Sequence, residues 1–215
     1  MDAVLEMRPN WRGRLHAWAF VTAIPLGIIL LLTAERSAAR VASGIYAISL
    51  VALFGTSAAY HRLANCTRSR RIMQRLDHSM IFLLIAGTYT PMCILVLPPA
   101  WGIPVLCVVG AIAVMGMALK LFAFDRVRGL GSVLYIALSW AVIAALPVLV
   151  PRLSLFEMML LFGGGIFYTG GAIIFSTRRP NPRPNVFGYH EVWHACTIVA
   201  GICHFATISL VVRGA

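Results

Sequence analysis

The chain has 215 residues, of which 60% are hydrophobic and only 12% are charged, and its mean hydropathy is +0.86. This composition excludes an ordinary soluble domain and is typical of a protein embedded in a membrane. The formal net charge of +11 does not indicate a nucleic-acid partner, because the arginines lie in short loops between apolar runs. Arginine in such loops orients a membrane protein and contacts anionic lipid headgroups, which are therefore the expected charged partners.

Seven apolar segments follow one another along the chain, each close to the length of about 20 residues that a helix needs to cross a bilayer. They cover residues 15–33, 41–61, 75–97, 101–122, 130–150, 155–175 and 186–212. Prolines mark several of the breaks between them, at Pro98, Pro99 and Pro151 and in the run 178–184. The pattern predicts an all-α polytopic membrane protein, a single seven-transmembrane-helix bundle over residues 1–215.

The basic residues divide unevenly between the two ends of these spans. Fourteen of the 18 Lys and Arg residues lie on the side of the N-terminus, and Arg36, Arg40, Arg152 and Arg213 lie on the other side. Because Lys and Arg accumulate in cytoplasmic loops, the N-terminus is predicted to be cytoplasmic and the C-terminus to lie outside. An odd number of spans keeps the two sides alternating this cleanly, which favours seven spans over six or eight.

Four ionisable residues lie where apolar spans meet the basic side. His61 ends the second span, Asp77 begins the third, and His190 and His194 begin the seventh. Ionisable groups inside apolar runs are costly in a bilayer and therefore point to function. His190 and His194 are four residues apart, hence on one helix face, the spacing that zinc-binding helices use. With His61 they would supply three imidazoles to Zn²⁺ and leave one tetrahedral position for water, as in catalytic zinc sites.

Asp77 and Ser57 are the candidate catalytic residues. Asp77 could hold the water or take its proton. Ser57 lies four residues before His61, on the same face, and could hydrogen-bond that carboxylate or donate to a developing oxyanion. Residues 190–194 also match the HExxH string of soluble zinc proteases, in which Glu191 would be the base. The third ligand comes from another span, which favours Asp77. The alternative for the whole set is a hydrogen-bonded network that joins helices.

Three further histidines have expected roles outside the zinc site. His78 points about 100° away from Asp77 around a helix, which favours a packing or interfacial role. His204 lies ten residues beyond His194, about 15 Å deeper, where it is expected to bond another helix or, alternatively, to line a cavity. His16 begins the first span and is expected to lie at the interface in contact with water.

Three stretches of the chain resemble the haemolysin III family, within the progestin and adipoQ receptor superfamily. The first is Ser-Ala-Ala-Tyr-His-Arg at 57–62. The second is Arg-Leu-Asp-His-Ser at 75–79, continued by 85–91. The third is Phe-Gly-Tyr-His-Glu-Val-Trp-His at 187–194, continued by 201–205. Together with seven spans in the expected order, the resemblance covers essentially the whole chain.

The resemblance implies a seven-helix bundle with a zinc site near its cytoplasmic face. The ligands would correspond to His61, His190 and His194, the family's acidic residue to Asp77, and its serine to Ser57. The receptor branch is similar in arrangement to alkaline ceramidases, which implies a zinc-dependent amidase acting on lipids. This short chain resembles the bacterial branch, which is named for haemolysis, and the resemblance implies a compact protein of the bacterial inner membrane.

Two other functions remain open beside a zinc-dependent hydrolase of lipid amides or esters. A non-enzymatic protein, either a haemolysin or pore or a signalling receptor, could hold zinc for structure alone, although few charged residues lie in mid-span as a polar lumen requires. A metal transporter or sensor would need ligands across the whole membrane, and only His204, Met and Cys residues lie deeper than the proposed site. Lipid hydrolysis is therefore the expected activity.

Overall fold

The computed structural model describes residues 9–126 and 128–214, and the side chains of all of them except 128–132. Eight α-helices make up most of this part of the chain. They are α1 (Arg14–Thr33), α2 (Ser37–Leu63), α3 (Thr67–Pro91), α4 (Pro99–Phe122), α5 (Arg128–Trp140), α6 (Leu146–Leu149), α7 (Leu155–Thr177) and α8 (Tyr189–Gly214). Six of them are long and apolar enough to cross a membrane. The all-α prediction is therefore confirmed, and the chain is a multi-pass integral membrane protein.

The fifth predicted span, residues 130–150, is not one continuous α-helix. A 3₁₀ turn over Ala141–Ala145 separates α5 from the single turn of α6, and the apolar stretch Val133–Leu149 is shorter than the other six. Pro147 accounts for the break, because its nitrogen has no proton to donate and its ring crowds the preceding turn. The bundle therefore consists of six long helices and one shorter, interrupted helical segment.

α3 begins at Thr67, two turns before the predicted start of the third span at position 75. Cys66 and Ser69 cap this end: the Ser69 N–H donates to Cys66 Sγ at 3.4 Å, and the Cys66 N–H donates to Ser69 Oγ at 3.2 Å. At the other end Pro91 is followed by a π-helical turn over Met92–Val96, since proline lacks the N–H that would continue the α-helical ladder. The two added turns carry arginines beyond the apolar part of the helix.

The outer faces of the bundle are apolar. Leu32 is 79% exposed, Phe122 is 83% exposed, and Trp18 and Ile48 are each 69% exposed. Exposed apolar surface on this scale is unfavourable in water, whereas the hydrocarbon chains of a bilayer are as apolar as these side chains. These faces therefore contact lipid.

Two buried hydrophobic clusters hold the helices together. One joins α1, α2, α3 and α8 and contains Tyr46, Phe54 and Ile208. The other lies mainly among α3, α4, α5, α6 and α7 and contains Phe82 and Leu149. Members of both clusters line a cavity inside the bundle, so the packing that stabilises the protein also forms the walls of this cavity.

Two glycines on one face of α7 allow α8 to approach closely. A Cβ at Gly171 would lie 2.6 Å from the ring of Trp193 and 2.8 Å from Cys196 Cβ. A Cβ at Gly164, two turns earlier, would overlap the ring of His204. Small residues at helix interfaces permit such close packing in membranes. The contact fixes the position of α8 and therefore of the histidines in its first turns.

Candidate metal centre and its cavity

The structure brings together three histidines that are distant in the sequence. The Nε2 atoms of His61 and His190 lie 3.2 Å apart, and His61, His190 and His194 each offer a ring nitrogen within 4.8 Å of the others. Ligand nitrogens placed tetrahedrally around zinc at about 2.0–2.1 Å lie about 3.3 Å from one another. The separation of His61 and His190 therefore fits two ligands of one ion.

Each of these histidines lies at the end of a long helix. His61 is in the last turn of α2, and His190 and His194 are in the first turns of α8. His61 is 8% exposed and His194 is 2% exposed, and Nδ1 of His194 has no hydrogen-bond partner among the described residues. A buried nitrogen in that state is unfavourable unless an ion, a water or a ligand pairs with it. The donor set and this unpaired nitrogen both fit a bound divalent metal.

Asp77 and Ser57 line a cavity whose wall also includes His190 and His194. The Ser57 hydroxyl is close enough to the Asp77 carboxyl to interact with it, and Asp77 Oδ2 lies 3.7 Å from His78 Nδ1. Asp77 does not belong to the group of potential metal ligands. Both candidate catalytic residues therefore line the same cavity as two of the candidate ligands, His190 and His194, and Asp77 lies outside the ligand group.

Glu191 lies between His190 and His194 in the sequence and has its own partners. Its Oε1 accepts a hydrogen bond from Arg12 Nε at 2.6 Å, and its Oε2 accepts one from the Gly188 N–H at 2.8 Å. Its side chain has no exposure to solvent. Glu191 is thus paired with an arginine outside the helix, and both of its carboxylate oxygens are engaged in holding the start of α8.

The segment before α1 packs over the histidine cluster. Gly13 has a φ of 75°, and a Cβ at that position would lie 2.6 Å from His61 Cβ. Glycine tolerates both the left-handed backbone and the close approach. The Trp11 N–H donates to the Val186 carbonyl at 3.2 Å, which holds the segment against the loop before α8. The N-terminal segment therefore covers one side of the candidate metal centre.

The expectation that His16 is in contact with water is wrong. His16 is 3% exposed, and its ring stacks on His194 with 3.7 Å between centroids and 9° between ring planes. No spacing in the sequence pairs His16 with the other histidines. The sequence does place His16 at the start of the first span, on the same side of the bundle as the three clustered histidines. That shared depth is the signal that could have grouped His16 with them.

His78 and His204 both line the cavity. His78 Nδ1 lies 2.9 Å from the Gln74 carbonyl oxygen, and its ring packs edge-on against Phe124 with centroids 5.1 Å apart, which agrees with the expected packing role. His204 Nε2 lies 3.2 Å from the Leu161 carbonyl oxygen. Both roles considered for His204, a bond to another helix and a place in the cavity wall, are therefore observed.

A mainly apolar cavity extends from the histidines into the bundle. Its volume is about 140 Å³. Asp77 and His194 line one end, and Met92 and Val142 line the other. Asp77 and Met92 are fifteen residues apart on the same helical segment, which corresponds to roughly 22 Å. This shape suits an elongated apolar molecule with one polar end.

The chain is similar to a known protein family and to two bacterial proteins. A family model described as "Haemolysin-III related" matches residues 6–205. The "Hemolysin-3" of Bacillus cereus is 31% identical over 182 residues, which cover 83% of this chain and 80% of that protein. The "Hemolysin-3 homolog" of Bacillus subtilis (strain 168) is 29% identical over 183 residues, which cover 84% of this chain and 83% of that protein. The matched region of the family model includes every histidine of the cluster.

Proposed function

The chain belongs to the Haemolysin-III related family, and we propose that it is a zinc-dependent membrane hydrolase that cleaves lipid amides or esters. The observation that carries the proposal is a cluster of three histidines, two of which, His190 and His194, line the polar end of a long apolar cavity. A bound Zn²⁺ in such a setting would lower the pKa of a water molecule and polarise the carbonyl group of an amide or ester.

His61, His190 and His194 would hold the ion, each through one ring nitrogen. Three protein ligands leave a fourth position for water or for the substrate. Gly13 packs against His61 and helps to shield the centre on that side. The cavity then provides the path by which a lipid reaches the histidines from within the membrane.

Asp77 is the residue best placed to accept a proton during the reaction. It is the one carboxyl group among the described residues that line the cavity, whereas Glu191 is bound to Arg12 and Gly188. Ser57 interacts with Asp77, so its hydroxyl would orient the carboxyl group. Alternatively, the same hydroxyl would donate to the carbonyl oxygen as it gains negative charge.

The acyl chain of the substrate would lie in the apolar part of the cavity. Ile81 and Ile85 of α3 and Leu161 and Phe162 of α7 are among its lining residues. Burial of a methylene group stabilises a bound chain by about 0.8 kcal/mol. A long chain therefore supplies most of the binding free energy, and the polar end of the lipid is held near Asp77 and the histidines.

Anionic headgroups of the bacterial inner membrane, the proposed location, would contact the start of α3. Arg70, Arg71 and Arg75 line a small polar pocket there together with Thr67, and Asp125 is the acidic residue beside them. The first turn of α3 contains no acidic residue, so the positive end of the helix dipole is uncompensated. Each basic residue near an anionic membrane surface contributes about 1 kcal/mol of attraction.

The proposed activity can be tested with purified protein in detergent, loaded with zinc and supplied with ceramide or phospholipid. Wild type should release fatty acid at least about 100-fold faster than Asp77→Asn, the range that a general base provides. Asp125→Asn is the matched control, because its carboxylate is 64% exposed and lies outside the cavity lining. Equal release by wild type and Asp77→Asn at equal zinc content would contradict the proposal.

A second candidate is a cytolytic membrane protein in which zinc serves only the structure. The names of the two Bacillus relatives, "Hemolysin-3" and "Hemolysin-3 homolog", favour it. Release of haemoglobin from erythrocytes and conductance in planar bilayers would test it. Lysis that persists in Asp77→Asn would favour this candidate, and lysis that falls together with fatty-acid release would favour the hydrolase.

A further inference from the structure

His16 is a buried histidine with unpaired nitrogens on the wall of the cavity. It is 3% exposed, and it is among the residues that line the cavity. Neither Nδ1 nor Nε2 has a hydrogen-bond partner in the described part of the chain. The His194 backbone is near the ring but outside hydrogen-bonding geometry. The two ring nitrogens of His16 are therefore buried beside the polar end of the cavity without a hydrogen bond.

The ring of His16 is held in place by two aromatic neighbours. His194 stacks on it at 3.7 Å between centroids, and Phe54 meets it edge-on at 5.1 Å with 63° between planes. A phenylalanine at position 16 could make both ring contacts without burying two polar atoms. Packing alone therefore does not explain a histidine here, because an unpaired buried polar atom lowers stability.

We propose that His16 binds the oxygen-bearing end of the lipid that occupies the cavity, by donating a hydrogen bond from one ring nitrogen to a carbonyl or carboxylate oxygen. A neutral imidazole carries one N–H donor and one acceptor nitrogen, and an acyl group offers acceptor oxygens. The identity of the ligand as an acyl lipid rests on the proposed function. The role of His16 adds a contact from α1 to a centre otherwise formed by α2, α3 and α8.

Oleate is a suitable probe because it joins a long apolar chain to a carboxylate. Equilibrium binding of radiolabelled oleate to the full chain in detergent would be measured for wild type, His16→Phe and Trp18→Phe, each with and without zinc. His16→Phe keeps the ring contacts and removes both nitrogens. Trp18→Phe alters the same helix at a side chain that is 69% exposed and outside the cavity lining.

The expected result is an oleate affinity about tenfold weaker in His16→Phe than in wild type, the effect of one hydrogen bond to a charged group. Trp18→Phe should match wild type. The affinity for 1-octadecene, which has the same chain length as oleate but no oxygen, is measured by competition and should be equal in all three proteins. Zinc affinity should be unchanged in His16→Phe, because the stacking ring on His194 remains.

Several results would overturn the inference. They are an unchanged oleate affinity in His16→Phe, an equal loss of octadecene binding, a parallel loss of zinc, and a wild type that does not bind oleate.

If His16→Phe does not fold, His16→Asn and His16→Gln serve instead, because their amide N–H groups replace those near Nδ1 and Nε2. At least one should bind oleate more tightly than His16→Ala, and failure of both would also contradict the inference. A wild type that binds oleate through His16 but no zinc would refute the metal-dependent hydrolase and leave this inference standing.

Discussion

Arg12 and Glu191 form an ion pair, with 2.6 Å between Nε and Oε1, that ties the segment before α1 to the first turn of α8. The Glu191 side chain is fully buried and that of Arg12 is 22% exposed. Glu191 directly follows the candidate ligand His190 in the chain, so this ion pair links the N-terminal segment to the candidate metal centre.

Loss of either partner of this pair should destabilise the protein. Glu191→Gln and Arg12→Gln should each lower the free energy of unfolding by about 2 kcal/mol, less than for a fully buried pair because Arg12 is partly exposed. The double variant should lose less than the sum of the two. Thermal unfolding of the four proteins in detergent measures this coupling, and strictly additive losses would show that the two side chains do not interact.

The three clustered histidines should determine the zinc content. Metal analysis of the purified wild type should give about one zinc per chain, as expected for one three-histidine site. Each of His61→Ala, His190→Ala and His194→Ala should lose it. His204→Gln is the matched control, since His204 is also on α8 and its Nε2 lies beside the Leu161 carbonyl. Zinc that remains in all three alanine variants would refute the site.

Substitution of Gly13, which is not itself a candidate ligand, should weaken the candidate metal centre. Gly13→Ala places a Cβ 2.6 Å from His61 Cβ and adds about 1–2 kcal/mol for the left-handed backbone. We expect weaker zinc binding and a lower unfolding temperature. Gly110→Ala is the control, because no atom lies within 4 Å of its added Cβ and alanine favours a helix. Zinc competition assays in which the two variants behave alike would contradict the close packing over His61.

Neighbouring glycines of α7 should respond in opposite ways to the same substitution. Gly171→Ala meets Trp193 and Cys196, whereas nothing lies within 4 Å of a Cβ at Gly170. Gly171→Ala should therefore separate α7 from α8 and lower the unfolding temperature. Gly170→Ala should leave that temperature unchanged or raise it slightly. The reverse order in a thermal unfolding assay would show that α8 does not pack on this face of α7.

The helices could largely be predicted because hydropathy and span length are properties of contiguous residues. Six of the seven predicted segments correspond to long apolar helices. The remaining segment, the fifth along the chain, is interrupted near Pro147, a residue that is visible in the sequence. Whether a proline bends a membrane helix or interrupts it depends on the groups that satisfy the freed carbonyls, and these belong to neighbouring elements.

The candidate site could be predicted in part for a related reason. His190 and His194 share a face through helix geometry alone, and the distribution of arginines places His61 at the same edge. Depth, however, does not say which helices are neighbours. His16 lies at that same depth, and only the packing of α1 against α8 places it on His194 instead of in contact with water or lipid.

The sequence by itself determined that this chain crosses a membrane several times and carries histidines and a carboxylate at one end of its spans. Tertiary structure alone decided which of those groups meet: the stack of His16 on His194, the engagement of Glu191 by Arg12, and the cavity that Asp77 lines. The physical reason is that hydropathy places a helix in the bilayer without setting its rotation or its neighbours. Those depend on close packing at small residues and on contacts between elements distant in the chain.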